Sequence, residues 1–332
     1  MDKNVKDIIS GYSEISFGEY LKSPKDRPMI DLSNANLIEC IHAMTSVKNK
    51  MSPKYGSHFA LLLYNLNKLE SDFGCTLYPT HITDIFWSNF IPYMLKRGLA
   101  LSSIKTCCSQ LKTTLEWANR HGAKVSNTYD MVKTPSYAHQ QVALTIDEIS
   151  HIAHFDVSTI KRRSQYLRNM EKVRDMFVLS CNLGQRFSDM VRIDKSCFDR
   201  NIFTIMQQKT GVKARVDIER MSMDRNTTYR ILDKYGYKAP SMTDISGYNR
   251  YLKILLKHIG DEFLEPIKIE TRVDGVIDTK YIPKYKLIAS HTARRSFITN
   301  NVLRGYAPLA IMRASGHKTY SSFEKYLCYF DD

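Results

Sequence analysis

The sequence predicts a mainly α-helical protein of two domains, the second of which contains a small β-sheet or hairpin. Three features predict this fold class. Apolar residues recur at helical spacing in both halves of the 332-residue chain. Two short β-like runs flank the turn-prone Lys209-Thr210-Gly211. Between the halves, residues 134–143 contain Pro, Ser, Gln and His but have no hydrophobic period, which is typical of an interdomain linker.

The first half is predicted to be a four-helix unit over about residues 34–127. Shorter apolar patterns predict helices over 37–44 and 85–95, and Pro92 is expected to kink or delimit the second of these. Residues 1–33 show no firm periodicity and remain unassigned. The clearest helix has a continuous apolar stripe, made by Phe59, Leu62, Leu63, Leu66, Leu69 and Phe73.

The fourth helix of this unit has sequence signals at both ends. Ser102 or Ser103 is expected to cap its N-terminus, and Gly122 is expected to end it in the left-handed conformation. Its apolar stripe consists of Ile104, Cys108, Leu111, Leu115 and Ala118.

The second half begins at Thr145, which forms a predicted capping box with Glu148. A long helix is expected to follow and to end near Gly184. The predicted hairpin consists of runs 202–207 and 215–218. Beyond it the chain is expected to return to helices, over 228–235, 247–259, 292–303, 308–314 and 322–330.

Charge points to a polyanionic partner. Lys and Arg number 48 against 34 Asp and Glu, so the net charge is +14. Basic side chains gain free energy by releasing the counterions condensed on a polyanion, so a nucleic acid is the expected partner. The alternative is a basic surface that only keeps the protein soluble.

Several other classes of protein are not indicated. The seven cysteines include no C-x-x-C pair, and His151 and His154 lack a third ligand, so neither a disulfide framework nor a metal site is expected. No P-loop motif occurs, and we expect no cofactor. The longest apolar run, residues 59–64, is too short to cross a bilayer, and the N-terminus has no signal-peptide core. The protein is therefore expected to be cytoplasmic, without a membrane partner.

A set of polar residues in the second half could together act on a phosphodiester. Two guanidiniums can hold a phosphate and neutralise the charge that grows in the transition state. A tyrosine hydroxyl can attack phosphorus, and because the phenolate can also leave, a second strand can be joined without ATP. A lysine can protonate the departing 5′ oxygen, and histidines can accept the tyrosine proton or contact phosphate. The candidates are Arg186, Lys209, His291, Arg294, His317 and Tyr326.

Each candidate also has a plain structural interpretation. Tyr326 is one of 20 tyrosines and could pack on an amphipathic helix. Arg186 could complement a helix dipole, and Lys209 could be solvated at a hairpin tip. The two histidines and Arg294 could be residues of helix ends or surfaces. The order and spacing of the whole set nevertheless favour a site.

These motifs resemble those of the tyrosine recombinases, also called phage-type integrases. The resemblance covers about residues 145–327 and is looser over 34–127. The matching stretches are L-G-Q-R-F-S-D-M (183–190), Q-Q-K-T-G (207–211), S-H-T-A-R-R-S-F (290–297), G-H-K-T (316–319) and F-E-K-Y-L (323–327).

The resemblance implies a domain organisation. After an unassigned segment, 1–33, a helical core-binding domain would cover 34–133 and bind DNA. A linker, 134–144, would connect it to a mixed α/β catalytic domain over 145–332. The two domains would clamp double-stranded DNA, the implied partner, between them.

The resemblance also implies a role for each candidate. Arg186 and Arg294 would clamp the phosphate, and Lys209 would be the general acid. Tyr326 would be the nucleophile. His291 would accept a proton or contact the phosphate, and His317 would hydrogen-bond the scissile phosphate. Asp189, at the family's acidic position, would support the site rather than react.

The implied function is that of a site-specific DNA recombinase of the integrase or invertase type. It would cleave and rejoin strands through a covalent 3′-phosphotyrosyl intermediate, without metal or ATP, as a homo-tetramer on paired DNA sites. An accessory DNA-bending protein is left open as a further partner. Two alternatives remain: a type IB topoisomerase-like enzyme that nicks and religates DNA, and a catalytically inert DNA-binding relative.

Some positions depart from the family pattern or leave a choice open. Gln185 stands where the family usually has an apolar residue, and Ala314-Ser315 replaces the usual leucine pair, so looser packing is expected under His317. Tyr320 and Tyr329 are rival nucleophiles by position. Whether the tyrosine serves its own protomer or a neighbour also stays open.

Overall fold

The structure is a computed structural model, and it describes residues 30–131, 137–139, 141–241, 244–273 and 276–328. The chain divides into two compact units, Met1–Tyr137 with Val273–Val276, and Ala138–Arg272 with Ile277–Asp332. The division falls inside the predicted linker, 134–144. Both units are mainly helical and small antiparallel pairings occur in the second, so the predicted fold class is confirmed. The functional roles assigned to the two domains stay a prediction.

The described residues of the first unit form four α-helices. They are α1 (Leu37–Met51), α2 (Ala60–Phe73), α3 (Asp84–Lys96) and α4 (Leu101–Asn119), with short 3-10 turns at Tyr55–Phe59 and Pro79–His81. Their apolar faces meet in one core that includes Leu62, Trp87, Phe90 and Leu111. A capping box between Asn36 and Glu39 begins α1.

Several local expectations for this unit need correction. Ser102 and Ser103 do not cap α4 but lie inside its first turn, because the helix begins at Leu101 and Ala100 occupies the N-cap position. Of the two alternatives for Pro92, it does not delimit α3, because the helix continues through it to Lys96. Helix α4 does end as expected: Gly122 has φ +91°, and the Ala123 N–H reaches the Ala118 carbonyl at 3.0 Å.

The segment before Asn34 is ordered where the structure describes it. Ile30 and Leu32 are buried beside Cys40 and Ala118. The Leu32 N–H donates to the His121 carbonyl at 2.9 Å. Residues 1–29 lie outside the described residues.

The second unit is built around α6. Its helices are α5 (Ile146–His154), α6 (Ser164–Leu183), α7 (Phe187–Met190), α8 (Ile218–Met221), α9 (Arg225–Lys234), α10 (Ile245–Ile259), α11 (Asp261–Leu264), α12 (Lys284–Leu287), α13 (Ser290–Leu303), α14 (Pro308–Ser315) and α15 (Tyr320–Glu324). From Val173 to Leu183, α6 is buried on all sides, and it packs against α5, α9, α10 and α13. It is therefore the central helix of this unit.

In the part of the chain that the structure describes, six strands form two three-stranded sheets. They are β1 (Tyr137–His139), β2 (Phe198–Asp199), β3 (Ile202–Met206), β4 (Lys213–Asp217), β5 (Pro266–Val273) and β6 (Val276–Pro283). The orders are β2-β3-β4 and β1-β5-β6. In the first sheet Phe203 pairs with Val216 and Ile205 with Ala214, and all four side chains are buried. The predicted hairpin is thus β3 and β4.

Three predictions for this unit were wrong in detail. The long helix expected after Thr145 is divided into α5 and α6, because Asp156 caps a short 3-10 turn between them. Strands β1, β5 and β6 were not predicted. The last helix ends at Glu324 rather than near residue 330, and residues 329–332 lie outside the described part.

A tertiary contact explains the early end of α15. The hydroxyl of Thr299, on α13, accepts the Cys328 N–H at 3.1 Å and donates to the Tyr326 carbonyl at 3.4 Å. These two bonds occupy a backbone N–H and a backbone carbonyl that a further turn of the helix would use. Tyr326 was expected on the final helix but lies in the turn that follows it.

Within the described residues, no helix is both long and apolar enough to span a bilayer.

Candidate active site

The C-terminal end of α6 places Arg186. Gly184 ends the helix at φ +66°, and a Cβ there would collide with the ring of Phe297 on α13. The chain then runs extended through Arg186 into α7. The Arg186 guanidinium is half-buried and donates from Nη1 to Oε1 of Gln207 at 2.6 Å.

Helix α13 places Arg294, which is fully buried. The helix begins after Ala289, whose N–H donates to the Thr292 hydroxyl, and Arg294 lies in its second turn. Nη1 donates to the Gly184 carbonyl at 3.0 Å, which links the ends of α6 and α13. Nε has no hydrogen-bond partner among the described residues, so this buried guanidinium keeps a free donor.

His317 follows α14 and meets Arg294. Gly316 ends α14 at φ +71°, and Nη2 of Arg294 lies 3.1 Å from Nε2 of His317. The same Nη2 lies farther from Nδ1, at 3.4 Å, and Nδ1 lies 2.9 Å from the Ser315 hydroxyl, which itself donates to the Ile311 carbonyl. Because a guanidinium can only donate, this network assigns the imidazole proton to Nδ1.

Tyr326 lies beside these groups on the same chain. Its ring centroid is 5.3 Å from Cζ of Arg294, 4.7 Å from the ring of His317 and 6.0 Å from the ring of His291. Tyr320, the first rival nucleophile, is 55% exposed and contacts Phe323. Tyr329, the second rival, lies outside the described residues.

Lys209 is exposed in the turn between β3 and β4, and in the described part of the chain its ammonium makes no hydrogen bond. Its charge nevertheless contributes to lowering the pKa of His291. The structure therefore brings together Arg294, His317, His291 and Tyr326. Arg186 joins them through Gln207, and Lys209 lies at the margin.

Burial and the clustered cations keep both histidines neutral. Although His291 retains an exposed edge, partial desolvation lowers its pKa to about 4, helped by the charges of Arg295, Arg294, Arg186 and Lys209. Burial, then Arg294 and Arg186, lower the pKa of His317 to about 3. Burial and Arg186 lower the pKa of Arg294 to about 9, so this guanidinium stays charged at neutral pH. An anion placed here would relieve the repulsion among these cations.

Asp189 is buried under the turn that carries Lys209. Its Oδ1 accepts the Gln208 N–H at 2.8 Å and a bond from Nη2 of Arg192 at 2.7 Å. Oδ2 has no partner among the described residues. The carboxylate thus holds the backbone of the β3–β4 turn.

Sequence reasoning missed two residues of the site, Gln207 and Ser315, and gave no role to Gln185. All three are buried, and all three bond the segments that carry the candidates. Their signal was weak: Gln185 and Gln207 lie inside the matching stretches and Ser315 lies beside one, but none is a residue type that can react with a phosphodiester. The looser packing expected under His317 is not seen, because Gln185 donates to the Ala314 carbonyl at 2.8 Å and fills that space.

No group of His, Cys, Asp and Glu side chains among the described residues could hold a metal ion.

Comparison with known proteins relates this fold to a family. No family model matches the sequence, and no curated protein matches it. A solved structure of a lambda integrase dimer bound to a COC′ core site matches with a TM-score of 0.65 and 15% identity, covering 99% of this chain and 87% of that one. A lambda integrase tetramer bound to a Holliday junction matches at 0.62 and 15%, covering 96% and 88%.

A third match is the XerH site-specific recombinase bound to its difH substrate. Its TM-score is 0.58 and its identity 11%, with coverage of 97% of this chain and 90% of that one. The chain therefore has the fold of the tyrosine recombinases, and the resemblance noted in the sequence is confirmed as to fold.

Proposed function

We propose that this protein is a site-specific DNA recombinase that cleaves and rejoins strands through a covalent 3′-phosphotyrosyl intermediate. The observation that carries the proposal is the position of Tyr326. Its ring lies 5.3 Å from a buried, positively charged Arg294 and 4.7 Å from His317. A phenol beside an oriented guanidinium is the arrangement that attack on a phosphodiester requires.

In the proposed reaction the Tyr326 hydroxyl oxygen attacks phosphorus and the P–O5′ bond breaks. The products are a 3′-phosphotyrosyl ester and a free 5′-hydroxyl. The bond energy is kept in the ester, so attack by a 5′-hydroxyl reverses the step and reseals a strand without ATP.

The surrounding side chains take the roles that their charge states suit. Arg294 and Arg186 neutralise the non-bridging oxygens, and His317 contacts the same phosphate. His291 is neutral at pH 7 because its pKa is about 4, so its lone pair is available, and a bound phosphate would raise this pKa towards the range in which it can accept the tyrosine proton. Lys209 is free to protonate the departing 5′ oxygen.

A basic groove beside the site suits the DNA backbone. Arg250, Lys253 and Lys257 lie on one face of α10 and line an open groove of about 420 Å³. In the described part of the chain none of them pairs with a carboxylate. Asn249, in the same groove, accepts the Ser290 N–H at 2.8 Å. The groove therefore adjoins the start of α13, which carries His291.

The assembly is proposed to be a homo-tetramer on paired DNA sites, with each tyrosine serving its own protomer. The match to a lambda integrase tetramer bound to a Holliday junction supports the tetramer. The approach of Tyr326 to Arg294 of the same chain supports action within one protomer.

The test uses DNA whose cleavage traps the intermediate. The protein is incubated with a pool of random-sequence duplexes that each carry a nick, so that a short 5′-hydroxyl fragment diffuses away after attack. We expect an adduct that survives denaturing electrophoresis, and sequencing its DNA identifies a preferred duplex. If no adduct forms with the pool or with total host DNA, the proposal is overturned and an inert DNA-binding protein is favoured. Relaxation of supercoiled DNA without joined products from two sites would favour a topoisomerase.

A further inference from the structure

Two glutamine side chains lie completely buried beneath the candidate active site. Gln185 is 0% exposed and Gln207 is 1% exposed. Nε2 of Gln207 donates to Oε1 of Gln185 at 2.8 Å and to the Ser315 carbonyl at 2.7 Å. Its Oε1 accepts from Nη1 of Arg186 at 2.6 Å and from the Thr210 hydroxyl at 2.9 Å.

These bonds use the whole hydrogen-bonding capacity of the Gln207 amide, two donors and two acceptor lone pairs. They also fix its orientation. A flipped amide would point N–H groups at the Arg186 guanidinium and an oxygen at the Ser315 carbonyl, and both contacts would be repulsive. The side chain therefore has one arrangement.

Gln207 connects three segments that are far apart in sequence. Arg186 follows α6, Thr210 adjoins Lys209 in the β3–β4 turn, and Ser315 lies two residues before His317. Packing closes the same junction, since a Cβ on Gly316 would lie 2.5 Å from the Gln207 amide. No apolar side chain could make these bonds.

We infer that Gln207 is a positioning residue, which holds the Arg186 guanidinium in place for the proposed strand-transfer reaction. The inference rests on the proposed function. Because Gln207 is buried, it acts through Arg186 and not by touching DNA. The short bond from a charged donor restricts Arg186 to one rotamer before substrate arrives, which removes an ordering cost from the reaction.

The chain offers matched variants that separate positioning from stability. Gln207→Met keeps the length of the side chain but removes the acceptor for Arg186. Gln208→Met makes the same change at the exposed neighbouring residue, whose backbone N–H bond to Asp189 is retained. Gln185→Leu leaves the Leu183 and Ala314 carbonyls without their donor and removes one acceptor of the Gln207 amide, but it leaves in place the Gln207 oxygen that accepts from Arg186.

The measurement is the single-turnover rate of adduct formation on the duplex selected from the random pool, at saturating protein, with binding and thermal unfolding measured in parallel. We expect Gln207→Met to lower the rate by about 100-fold while the half-saturating protein concentration changes less than about threefold. Gln208→Met should match the wild type. Gln185→Leu should lower the unfolding midpoint but change the rate by less than about fivefold.

A modified substrate adds a second readout. A methylphosphonate at the scissile position replaces one charged non-bridging oxygen by a methyl group, so less charge needs to be neutralised. If Gln207 acts through Arg186, the 100-fold difference between wild type and Gln207→Met should fall below about tenfold on this substrate.

Two results would overturn the inference and leave the proposed function standing. One is that the wild type forms an adduct and Gln207→Met forms it at the same rate. The other is that, on both substrates, the rates of adduct formation by Gln207→Met and Gln185→Leu fall in the same proportion to their losses of stability. The absence of any wild-type adduct would instead refute the proposed function.

Discussion

Arg294 and His317 are joined by a hydrogen bond of 3.1 Å in which the charged guanidinium donates to a neutral imidazole. The contact is made possible by the low pKa of His317, about 3, which burial and the two arginines produce. A phosphate bound between them would reverse this effect, since an anion raises the pKa of a nearby histidine. His317 could then become a second donor to the phosphate.

The low pKa of His317 predicts how stability depends on pH. The folded value is about 3, whereas an unfolded histidine has a pKa near 6.5. Between these values the unfolded chain binds the additional proton, so the free energy of unfolding falls as pH falls below about 6.5. Above that pH the term is constant. Urea unfolding measures this effect. Between pH 7 and pH 5, the free energy of unfolding should fall by about 1–2 kcal/mol more in the wild type than in His317→Gln.

The exposed His258 of α10 provides the control for that experiment. His258→Gln should keep the wild-type slope. Equal slopes in wild type and His317→Gln would contradict the assignment of a neutral, buried imidazole.

Replacing Gly184 should lower the free energy of unfolding for two separable reasons, its positive φ and its contact with the Phe297 ring. Gly184→Ala places a Cβ at φ +66° and against the Phe297 ring, so we expect a loss of about 2–4 kcal/mol in unfolding free energy. Gly305→Ala is the matched control, since Gly305 has φ +81° but no atom within 4 Å of the added Cβ. It should lose only about 1 kcal/mol. Equal losses would show that packing of Phe297 does not constrain the end of α6.

The basic face of α10 predicts a change in the salt dependence of DNA binding. Replacing Arg250, Lys253 and Lys257 together by Gln should reduce the slope of log K against log salt by about 2 to 3, because each phosphate contact contributes about 0.9. Filter binding of the selected duplex at several salt concentrations measures this slope. Arg225→Gln is the control, because that guanidinium pairs with Glu219 at 2.9 Å. An unchanged slope in the triple variant would exclude the α10 groove from the interface.

The contacts of Arg294 predict that its replacement slows the chemical step. Arg294→Lys keeps a positive charge but loses the two-pronged guanidinium that reaches both Gly184 and His317. We expect adduct formation to slow by about 10²–10³-fold in single turnover, with duplex affinity changed by less than about threefold. Arg313→Lys, at an exposed position of α14, should be indistinguishable from wild type. If both variants reacted at the wild-type rate, Arg294 would have no part in the reaction.

The sequence predicted those parts of the fold whose signals are local. The capping box at Thr145, the glycine ends at Gly122 and Gly184, and the hairpin around Lys209 all depend on residues a few positions apart. Strand β5 escaped notice although residues 267–270, I-K-I-E, alternate between apolar and polar, and β6 shows no such alternation. The end of α15 could not be predicted, because Thr299 determines it from 29 residues away in sequence.

The same distinction applies to the candidate site. The motifs singled out Arg186, His291, Arg294, His317 and Tyr326 because each has a characteristic neighbour in sequence. Gln207 has no comparable sequence signal, because its role depends on hydrogen bonds to Arg186, Gln185 and Ser315 that form only in the folded chain. Gln185 could be seen as unusual, but its partner, the Ala314 carbonyl, lies 129 residues away.

The central claim is that the Tyr326 oxygen becomes bonded to DNA. The direct measurement is mass spectrometry of the peptide that retains nucleotide after the trapped adduct is digested with protease and nuclease. We predict that fragmentation places the nucleotide on Tyr326, and that Tyr326→Phe forms no adduct while binding the duplex as tightly as wild type. Tyr320→Phe should form the adduct normally. A nucleotide found on Tyr320 or Tyr329, or an adduct that persists in Tyr326→Phe, would contradict the account.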